Sequence, residues 1–414
     1  MLIGSCRIPA RGWSGVLALC LLAAACGRSS SSSLITETDS AGVRILTSHG
    51  DGWDAESAWR LELDLDVGDL DGPNAFGRVR DVAVRRAGGM WVLDGQARHV
   101  SGFDDAGNPV LEFGRHGQGP GEFTFVDYVS ELANGNLVVA GSGPIALHRF
   151  GPDGSYQTTE VLPDSVFRKR STRAIESRPP PGPSFGKWRI VSDGSVFVQT
   201  VLIDAEGENI VRSDVLLRLA SGGGRATRLT QWNASLMNNG PDGTIRLLQP
   251  DRSWVALADG GVWITDGAAY ELRRLDRSGK LTTLVQRPVS LMPVTPSIKS
   301  GVRQSLAENM DSDFERMLLD RAEFPTNIPA SFGLWVSEPS GRLWVGVRDP
   351  DLPWDYERAN AWDILEPDGT YVGRMSIPEG FRATRVTQDY VYGIWLDELE
   401  ISHARRYQIV RPRG

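Results

Sequence analysis

The residues best suited to bind a ligand lie in two segments of unusual composition. One is basic, with Arg168, Lys169 and Arg170 followed by three prolines at 179–181. The other, 349–362, is acidic and aromatic, and aromatic faces beside carboxylates suit sugar rings or cationic ligands. The candidate ligand-binding residues are Arg168, Arg170, Asp351, Trp354, Tyr356 and Trp362. Two alternatives stay open: a solvated loop for the basic segment, and aromatic cover of an apolar surface for the other.

Sequence motifs for catalysis or metal binding are missing. The five histidines are scattered, and none has a second His or a Cys at zinc-ligand spacing. A Gly-x-Ser-x-Gly nucleophile elbow does not occur, and the glycine-rich run 114–119 links two predicted strands rather than opening a helix. We therefore predict no catalytic residue, no metal ligand and no cofactor. A divalent cation such as calcium, held by residues from separate strands, would leave no local motif and stays open.

A tight turn followed by an apolar run recurs five times. The turn glycines are Gly89, Gly135, Gly194, Gly260 and Gly341, and second turns follow at Gly107, Gly154, Gly223, Gly279 and Gly369. The second turn comes 18 or 19 residues after the first in three repeats, and 28 or 29 in two. Such spacing predicts chains of antiparallel hairpins, four strands to a repeat. The predicted strands of the first repeat are 79–84, 90–93, 99–103 and 109–113, and the pattern returns over 124–161, 186–231, 252–288 and 332–377.

A sixth repeat is divided between the two ends of the chain. Three strands are predicted at 382–387, 392–396 and 406–410, and the alternating segment 61–67 supplies the fourth. A Gly-Pro-x-x-Phe sequence follows both that segment and the first repeat. The predicted fold is all-β: a six-bladed β-propeller of four-stranded antiparallel blades, closed by an N-terminal strand.

The first repeat resembles the NHL-repeat type of bacterial six-bladed propeller. The likeness rests on Trp-Val-Leu-Asp at 91–94, on 100–104 and on the glycine-rich connector 113–123. The resemblance implies the propeller fold. It selects no activity, because such propellers serve as enzymes, binding scaffolds and carriers.

The longest insertions are predicted to share one face. Two of them, 201–213 and 348–361, separate the second and third strands of a blade, and two more, 163–184 and 288–328, join one blade to the next. In a four-stranded meander these connections lie together, on what we call the connection face. The tight glycine turns lie on the opposite end, the turn face. Because loops carry binding residues, the connection face is the predicted binding surface.

One insertion, at about 296–328, is predicted to be helical. Apolar residues recur at helical spacing over 300–322, and Pro325 follows. This helix is expected to cover the mouth of the central channel, with docking of a partner as the alternative. Asp94 and Asp266 end equivalent strands and are predicted to accept backbone N–H groups in turns. The tryptophans at equivalent strand positions, Trp91, Trp263, Trp344 and Trp395, are predicted to pack between blades.

The N-terminus is typical of an export signal. Residues 1–25 contain two arginines, an apolar core and three alanines before Cys26. This resembles a bacterial lipoprotein signal, which implies acylation of Cys26; cleavage by an ordinary signal peptidase is the alternative. Residues 26–58, with five serines at 29–33, are predicted to be a tether and N-terminal segment before a propeller at 59–414. The other two cysteines, Cys6 and Cys20, lie within the signal, so no disulfide within the mature chain is predicted.

Charge and composition narrow the functional classes. The net charge of −8 without a basic stripe argues against nucleic-acid binding. The sequence favours a monomeric lipoprotein of the cell envelope that binds a small ligand or a protein through its connection face, without catalysis. One alternative is a metal-dependent hydrolase or lyase with its site in the central channel. Another is a structural partner that docks through the inserted helix.

Overall fold

Short strands make up nearly all of the regular structure. The computed structural model describes residues 35–412, except 55, 71, 73, 142–145, 163–186, 207–208, 222–225, 234–245, 251, 308–312 and 348–360. The strands are β1 (Ile35–Ser40), β2 (Val43–Ser48), β3 (Arg60–Val67), β4 (Val79–Val84), β5 (Met90–Asp94), β6 (His99–Phe103), β7 (Pro109–Phe113), β8 (Arg115–His116), β9 (Glu122–Phe123), β10 (Val126–Glu131), β11 (Leu137–Gly141), β12 (Ala146–Phe150), β13 (Tyr156–Val161), β14 (Trp188–Ile190), β15 (Val196–Glu206), β16 (Asn209–Leu219), β17 (Thr227–Asn233), β18 (Ser253–Ala256), β19 (Val262–Thr265), β20 (Glu271–Leu275), β21 (Leu281–Gln286), β22 (Gly333–Glu338), β23 (Leu343–Val347), β24 (Ala361–Leu365), β25 (Tyr371–Ser376), β26 (Phe381–Thr387), β27 (Tyr390–Leu396) and β28 (Ser402–Val410). The helices in the described ranges are α1 (Pro296–Ala307) and α2 (Asp313–Asp320).

The strands pair mainly with their neighbours in the chain. The runs β4 to β7, β10 to β13 and β14 to β17 each form a four-stranded sheet. The run β18 to β21 is extended to six strands, because β2 pairs in parallel with β21 and β1 pairs with β2. The runs β22 to β25 and β26 to β28 join into an eight-stranded sheet that ends with β3. The fold is of the β-propeller class.

The four predicted strands of the first repeat are confirmed, with the second ending one residue later at Asp94. The glycines of the repeat are required by backbone geometry. At Gly89 φ is 83°, and a Cβ atom would lie 2.0 Å from the carbonyl oxygen of Phe103. At Gly279 φ is 88°, and a Cβ would lie 2.4 Å from the carbonyl oxygen of Leu229. Only glycine fits such turns without strain.

The N-terminal strand pairs as the sequence predicts. β3 lies antiparallel to β28, with Val67 opposite Ala404 and Arg60 opposite Val410. Without β3, the backbone groups along the outer side of β28 would lack strand partners. The first and last parts of the chain therefore share one sheet.

Residues before β3 also belong to the folded unit, which spans Leu34–Gly414. The predicted start of the propeller at residue 59 is therefore too late, because β1 and β2 extend the sheet of β21. Between β2 and β3, Trp53 donates its backbone N–H to the carbonyl of Val372 at 2.9 Å and its indole N–H to the carbonyl of Arg374 at 3.1 Å. We call residues 35–67 the N-terminal belt, since it contacts β21, β25 and β28 in turn.

Apolar side chains fill the spaces between adjacent sheets. One cluster joins Trp91 of β5 to Val129 of β10 and Phe150 of β12. The predicted core positions of Trp91, Trp263 and Trp344 are confirmed, since all three are buried. Trp395 is partly buried, and the guanidinium of Arg405 lies 3.4 Å from its ring centroid. Burial of this kind is the main stabilising contribution to a β fold.

The helical insertion consists of two helices rather than the single predicted helix over 300–322. α1 begins earlier, at Pro296, with the Thr295 hydroxyl accepting the N–H of Ile298 at 3.3 Å as a helix cap. Arg303 donates to the carbonyls of Leu319, Asp320 and Ala322 at the end of α2. Val302 of α1 packs in a cluster with Leu319 and with Leu247 and Leu248, which precede β18. Among the described residues, neither helix is long and apolar enough to cross a membrane.

The insertion at 201–213 is a strand extension, not the predicted loop. β15 and β16 run paired from Val196 opposite Leu219 to Glu206 opposite Asn209. The ten or so added residues therefore lengthen one hairpin beyond its sheet.

The turn after β5 depends on one carboxylate. Asp94 is buried and accepts the backbone N–H groups of Gly77, Arg78, Gln96 and Ala97 at 2.7–3.2 Å, as predicted for a turn residue.

Replacing Asp94 with Ala leaves these donors unpaired and should lower the free energy of unfolding by about 2–3 kcal/mol, measured by urea denaturation. Asp266→Ala is the matched control, because Asp266 accepts one N–H at an exposed turn; it should change stability by about 0.5 kcal/mol or less. Equal effects of the two substitutions would contradict this assignment.

Candidate functional site

A cavity of about 650 Å³ lies where six strands meet. It is lined by residues in or directly after β4, β10, β14, β18, β22 and β26, which we call the cavity strands. The cavity strands contact one another in cyclic order, from β4 to β10, β14, β18, β22 and β26 and back to β4. The cavity is therefore central to the fold and draws on residues far apart in sequence.

The cavity lies at the turn face, not at the connection face. Its lining residues are at the C-terminal ends of the cavity strands or just beyond: Arg86 follows β4, Glu131 ends β10, and Ser192 follows β14. Each cavity strand runs into a tight turn at this end. The cavity and the connection that contains α1 and α2 thus lie at opposite ends of the strands.

A buried ion pair holds three cavity strands together. The Arg385 guanidinium donates to both carboxylate oxygens of Asp81, with Nη1–Oδ1 at 3.1 Å and Nη2–Oδ2 at 2.8 Å. It also donates to the carbonyl of Val129 at 2.9 Å, while Asp81 accepts the N–H of Val129 at 3.0 Å. Burial lowers the pKa of Arg385, but attraction to Asp81 outweighs it and the pKa is raised overall. The pair therefore stays charged and ties β26 to β4 and β10.

Arg189 of β14 is a second guanidinium in the same cavity. Its Nη1 donates to the carbonyl of Trp188 at 2.8 Å, and among the described residues no carboxylate forms an ion pair with it. Burial lowers the pKa of Arg189 below its ordinary value, with further lowering from the charges of Arg385 and Arg382. The negative charge of Asp81, which is already paired with Arg385, raises the pKa of Arg189 but offsets only part of this lowering. A partly buried guanidinium without a counter-charge is less favourable than a paired one, and an anion placed beside it would lower that cost.

The remaining lining combines apolar walls with satisfied polar groups. The Tyr128 hydroxyl accepts the N–H of Ile190 at 3.2 Å, and the Arg385 guanidinium lies 4.4 Å from the Tyr128 ring centroid. Glu131 accepts the indole N–H of Trp91 at 2.7 Å and the N–H of Arg86 at 3.0 Å. Apolar lining with a few convergent polar groups is typical of small-molecule sites.

Two carboxylates line the cavity, those of Glu131 and Glu338. Among the residues that the structure describes, no three His, Cys, Asp or Glu side chains are grouped as a metal site would need. The guanidinium groups of Arg189 and Arg385 give the cavity its chemical character. Because both terminal nitrogens of Arg385 already donate to Asp81 and to backbone carbonyls, Arg189 is the group that can bind a carboxylate, phosphate or sulfate through its N–H donors.

One of the residues predicted from sequence to bind a ligand is a core residue. Trp362 lies in β24 with 0% of its surface exposed, and its ring packs 5.6 Å from Trp344 and 5.7 Å from Trp335. The prediction that Trp362 binds a ligand is wrong, because the register of β24 turns this side chain inward. The other predicted residues lie outside the described part of the chain, so their roles stay predictions: Arg168, Arg170, Asp351, Trp354, Tyr356 and the acylated Cys26.

Sequence reasoning missed Arg189, Arg385 and Asp81. A signal was present, since each is an ionisable residue within a strand that is otherwise mostly buried: Trp-Arg-Ile, Phe-Arg-Ala-Thr-Arg-Val-Thr and Val-Arg-Asp-Val-Ala-Val. Charged residues in central strands need partners. The candidate residues predicted from the sequence came from loop segments, where binding residues are common, rather than from strands.

Comparisons with known proteins agree with the fold. No protein-family model matches the sequence, and no curated protein matches it. A member of the DUF4221 family from Bacteroides vulgatus is 8% identical, with a TM-score of 0.50 over 86% of this chain and 99% of that one. A Bacteroides fragilis protein described as exported is 10% identical (TM-score 0.48; 89% and 99% covered), and virginiamycin B lyase from Staphylococcus aureus is 11% identical (0.41; 85% and 100%). At such identities the likeness concerns the fold alone.

The ion pair generates a prediction about stability. Asp81→Ala leaves Arg385 buried without a counter-charge and should lower the free energy of unfolding by about 3–5 kcal/mol. Adding Arg385→Met removes the unpaired charge, so the double variant should be more stable than Asp81→Ala alone. Chemical denaturation of both single variants and the double variant tests this. Additive losses in the double variant would contradict a coupled pair.

Proposed function

We propose that this protein is an exported, lipid-anchored, six-bladed β-propeller that binds a small anionic ligand in its central cavity without transforming it. The lipid anchor, the six-bladed ring and the anion site are supported by different observations and can be tested separately.

The six-bladed ring is supported by two observations. The cavity strands contact one another in cyclic order, and β3 completes a run of four strands with β26, β27 and β28. A ring of six blades accounts for both. The NHL-like sequence of the first repeat agrees with it.

The cell-envelope location rests on the sequence. An arginine-containing, apolar leader at 1–25 precedes Cys26 and a serine-rich segment, as in bacterial lipoproteins. The β1 strand begins at Ile35, so the distance along the chain from Cys26 to the folded unit is short.

The ligand class rests on Arg189. This guanidinium lines the cavity, is held by a neighbouring carbonyl, and lies close enough to Arg385 for the two charges to repel. A carboxylate or phosphate beside Arg189 would receive N–H donors from its guanidinium and would offset the repulsion from Arg385 in a partly dehydrated site. A neutral ligand would not reduce the repulsion between the guanidinium groups of Arg189 and Arg385.

Ligand binding can be measured on the full chain in detergent with citrate and inorganic phosphate as probes. At constant ionic strength, at least one should raise the melting temperature saturably, since a ligand that binds the folded state stabilises it. Arg189→Gln should weaken that binding at least tenfold. Arg189→Lys should be intermediate, because it keeps the charge but loses the planar donor pair.

The matched control is Arg274→Gln, which removes a guanidinium paired with Asp259 on the surface and should leave binding unchanged. An unchanged affinity in Arg189→Gln would contradict the assigned site. If neither anion, nor any anion retained by the purified protein in native mass spectrometry, depends on Arg189, the proposed ligand class is wrong.

A further inference from the structure

The direction of the first strand places the anchored end of the chain at the connection face. β21 runs from the turn at Gly279 toward the connection that leads to α1. β2 is parallel to β21, with Arg44 opposite Thr283 and Thr47 opposite Gln286. β1 is antiparallel to β2, so Ile35 lies beside Ser48 at the end of the sheet where β21 finishes. The chain therefore enters the folded unit from the connection face.

The segment between the anchor and this entry point is short. Cys26 and Ile35 are nine residues apart, which limits their separation to about 30 Å even when fully extended. A bilayer holding an acylated Cys26 is then within about 30 Å of Ile35. The turn face, at the other end of every strand, lies farther from Ile35 than the connection face does.

Exposed apolar side chains concentrate on the same face. Leu399, Leu70 and Phe125 expose 73%, 69% and 55% of their surface in connections of this face. Among the residues that the structure describes, the exposed large apolar side chains on this face are Leu70, Phe125, Val161, Val289, Met317, Leu396 and Leu399. The other three, Leu63, Val110 and Tyr156, lie on the outer strands β3, β7 and β13.

We infer that the connection face rests on the lipid surface, with its apolar side chains in the headgroup region and the cavity at the turn face directed away from the bilayer. The inference rests on the lipid anchor of the proposed function and adds the orientation. A contact of the folded unit with the membrane adds to the attachment by the lipid anchor and orients the protein. Apolar side chains near the anchor provide that contact without a basic patch.

Single engineered thiols test the orientation in the full-length, lipidated protein. Once the leader is removed, Cys26 is the one natural thiol, and acylation blocks it. Leu399→Cys and Leu70→Cys report on the connection face, and Ala106→Cys, in the exposed turn after β6, reports on the turn face. Each is labelled with an environment-sensitive fluorophore and reconstituted into phosphatidylethanolamine–phosphatidylglycerol vesicles that contain headgroup-region nitroxide lipids.

Quenching at Leu399→Cys and Leu70→Cys should exceed that at Ala106→Cys at least twofold. Equal quenching at both ends, or stronger quenching at Ala106→Cys, would overturn the orientation. Mass spectrometry of the N-terminal peptide shows whether Cys26 is acylated, and so separates the test of the lipid anchor from the test of the orientation. An unacylated Cys26 overturns the anchor and the orientation together, whereas an acylated Cys26 with equal quenching overturns the orientation alone. Anion binding in the cavity is unaffected by either result.

Discussion

The bidentate pair between Arg385 and Asp81 is the interaction on which the centre of the molecule depends. It joins a strand near the end of the chain to a strand near its beginning, and through Val129 it includes a third. A charge buried at this depth needs a partner, and Asp81 is fully used by Arg385. Arg189 faces the same cavity without a carboxylate of its own. Because Asp81 is paired with Arg385, Arg189 forms no ion pair with a carboxylate in the part of the chain that the structure describes.

The N-terminal belt provides backbone hydrogen-bond partners for strands at the edges of two sheets. β3 covers β28 and β2 covers β21, so outer strands of two strand runs gain backbone partners. Between them Trp53 bonds to β25, and Trp59 lies between the guanidinium groups of Arg342 and Arg411, at 5.1 and 4.7 Å from its ring centroid. The belt thus fixes the place where β1 enters the folded unit, at Ile35.

The sequence predicted most of the strands and little of the site. Turns at Gly89 and Gly279 and the carboxylate of Asp94 act locally, so residue type and spacing revealed them. The β1–β2 hairpin was missed because a short polar segment gains its stability from pairing with β21, a contact over 200 residues away in sequence. The cavity residues were also missed because they meet only through contacts between strands that are far apart in sequence. The meeting of Asp81, Arg189 and Arg385 depends on the arrangement of the cavity strands, which no local pattern encodes, and Trp362 faces the core because of its register in β24.

Anomalous diffraction from crystals grown with selenate tests the central claim most directly, because selenate is a compact tetrahedral dianion that can be located without ambiguity. The account predicts a selenium peak in the cavity, within hydrogen-bond distance of the Arg189 guanidinium and on the side that faces Arg385. Crystals in which selenate occupies surface arginines while the cavity holds water alone would contradict it.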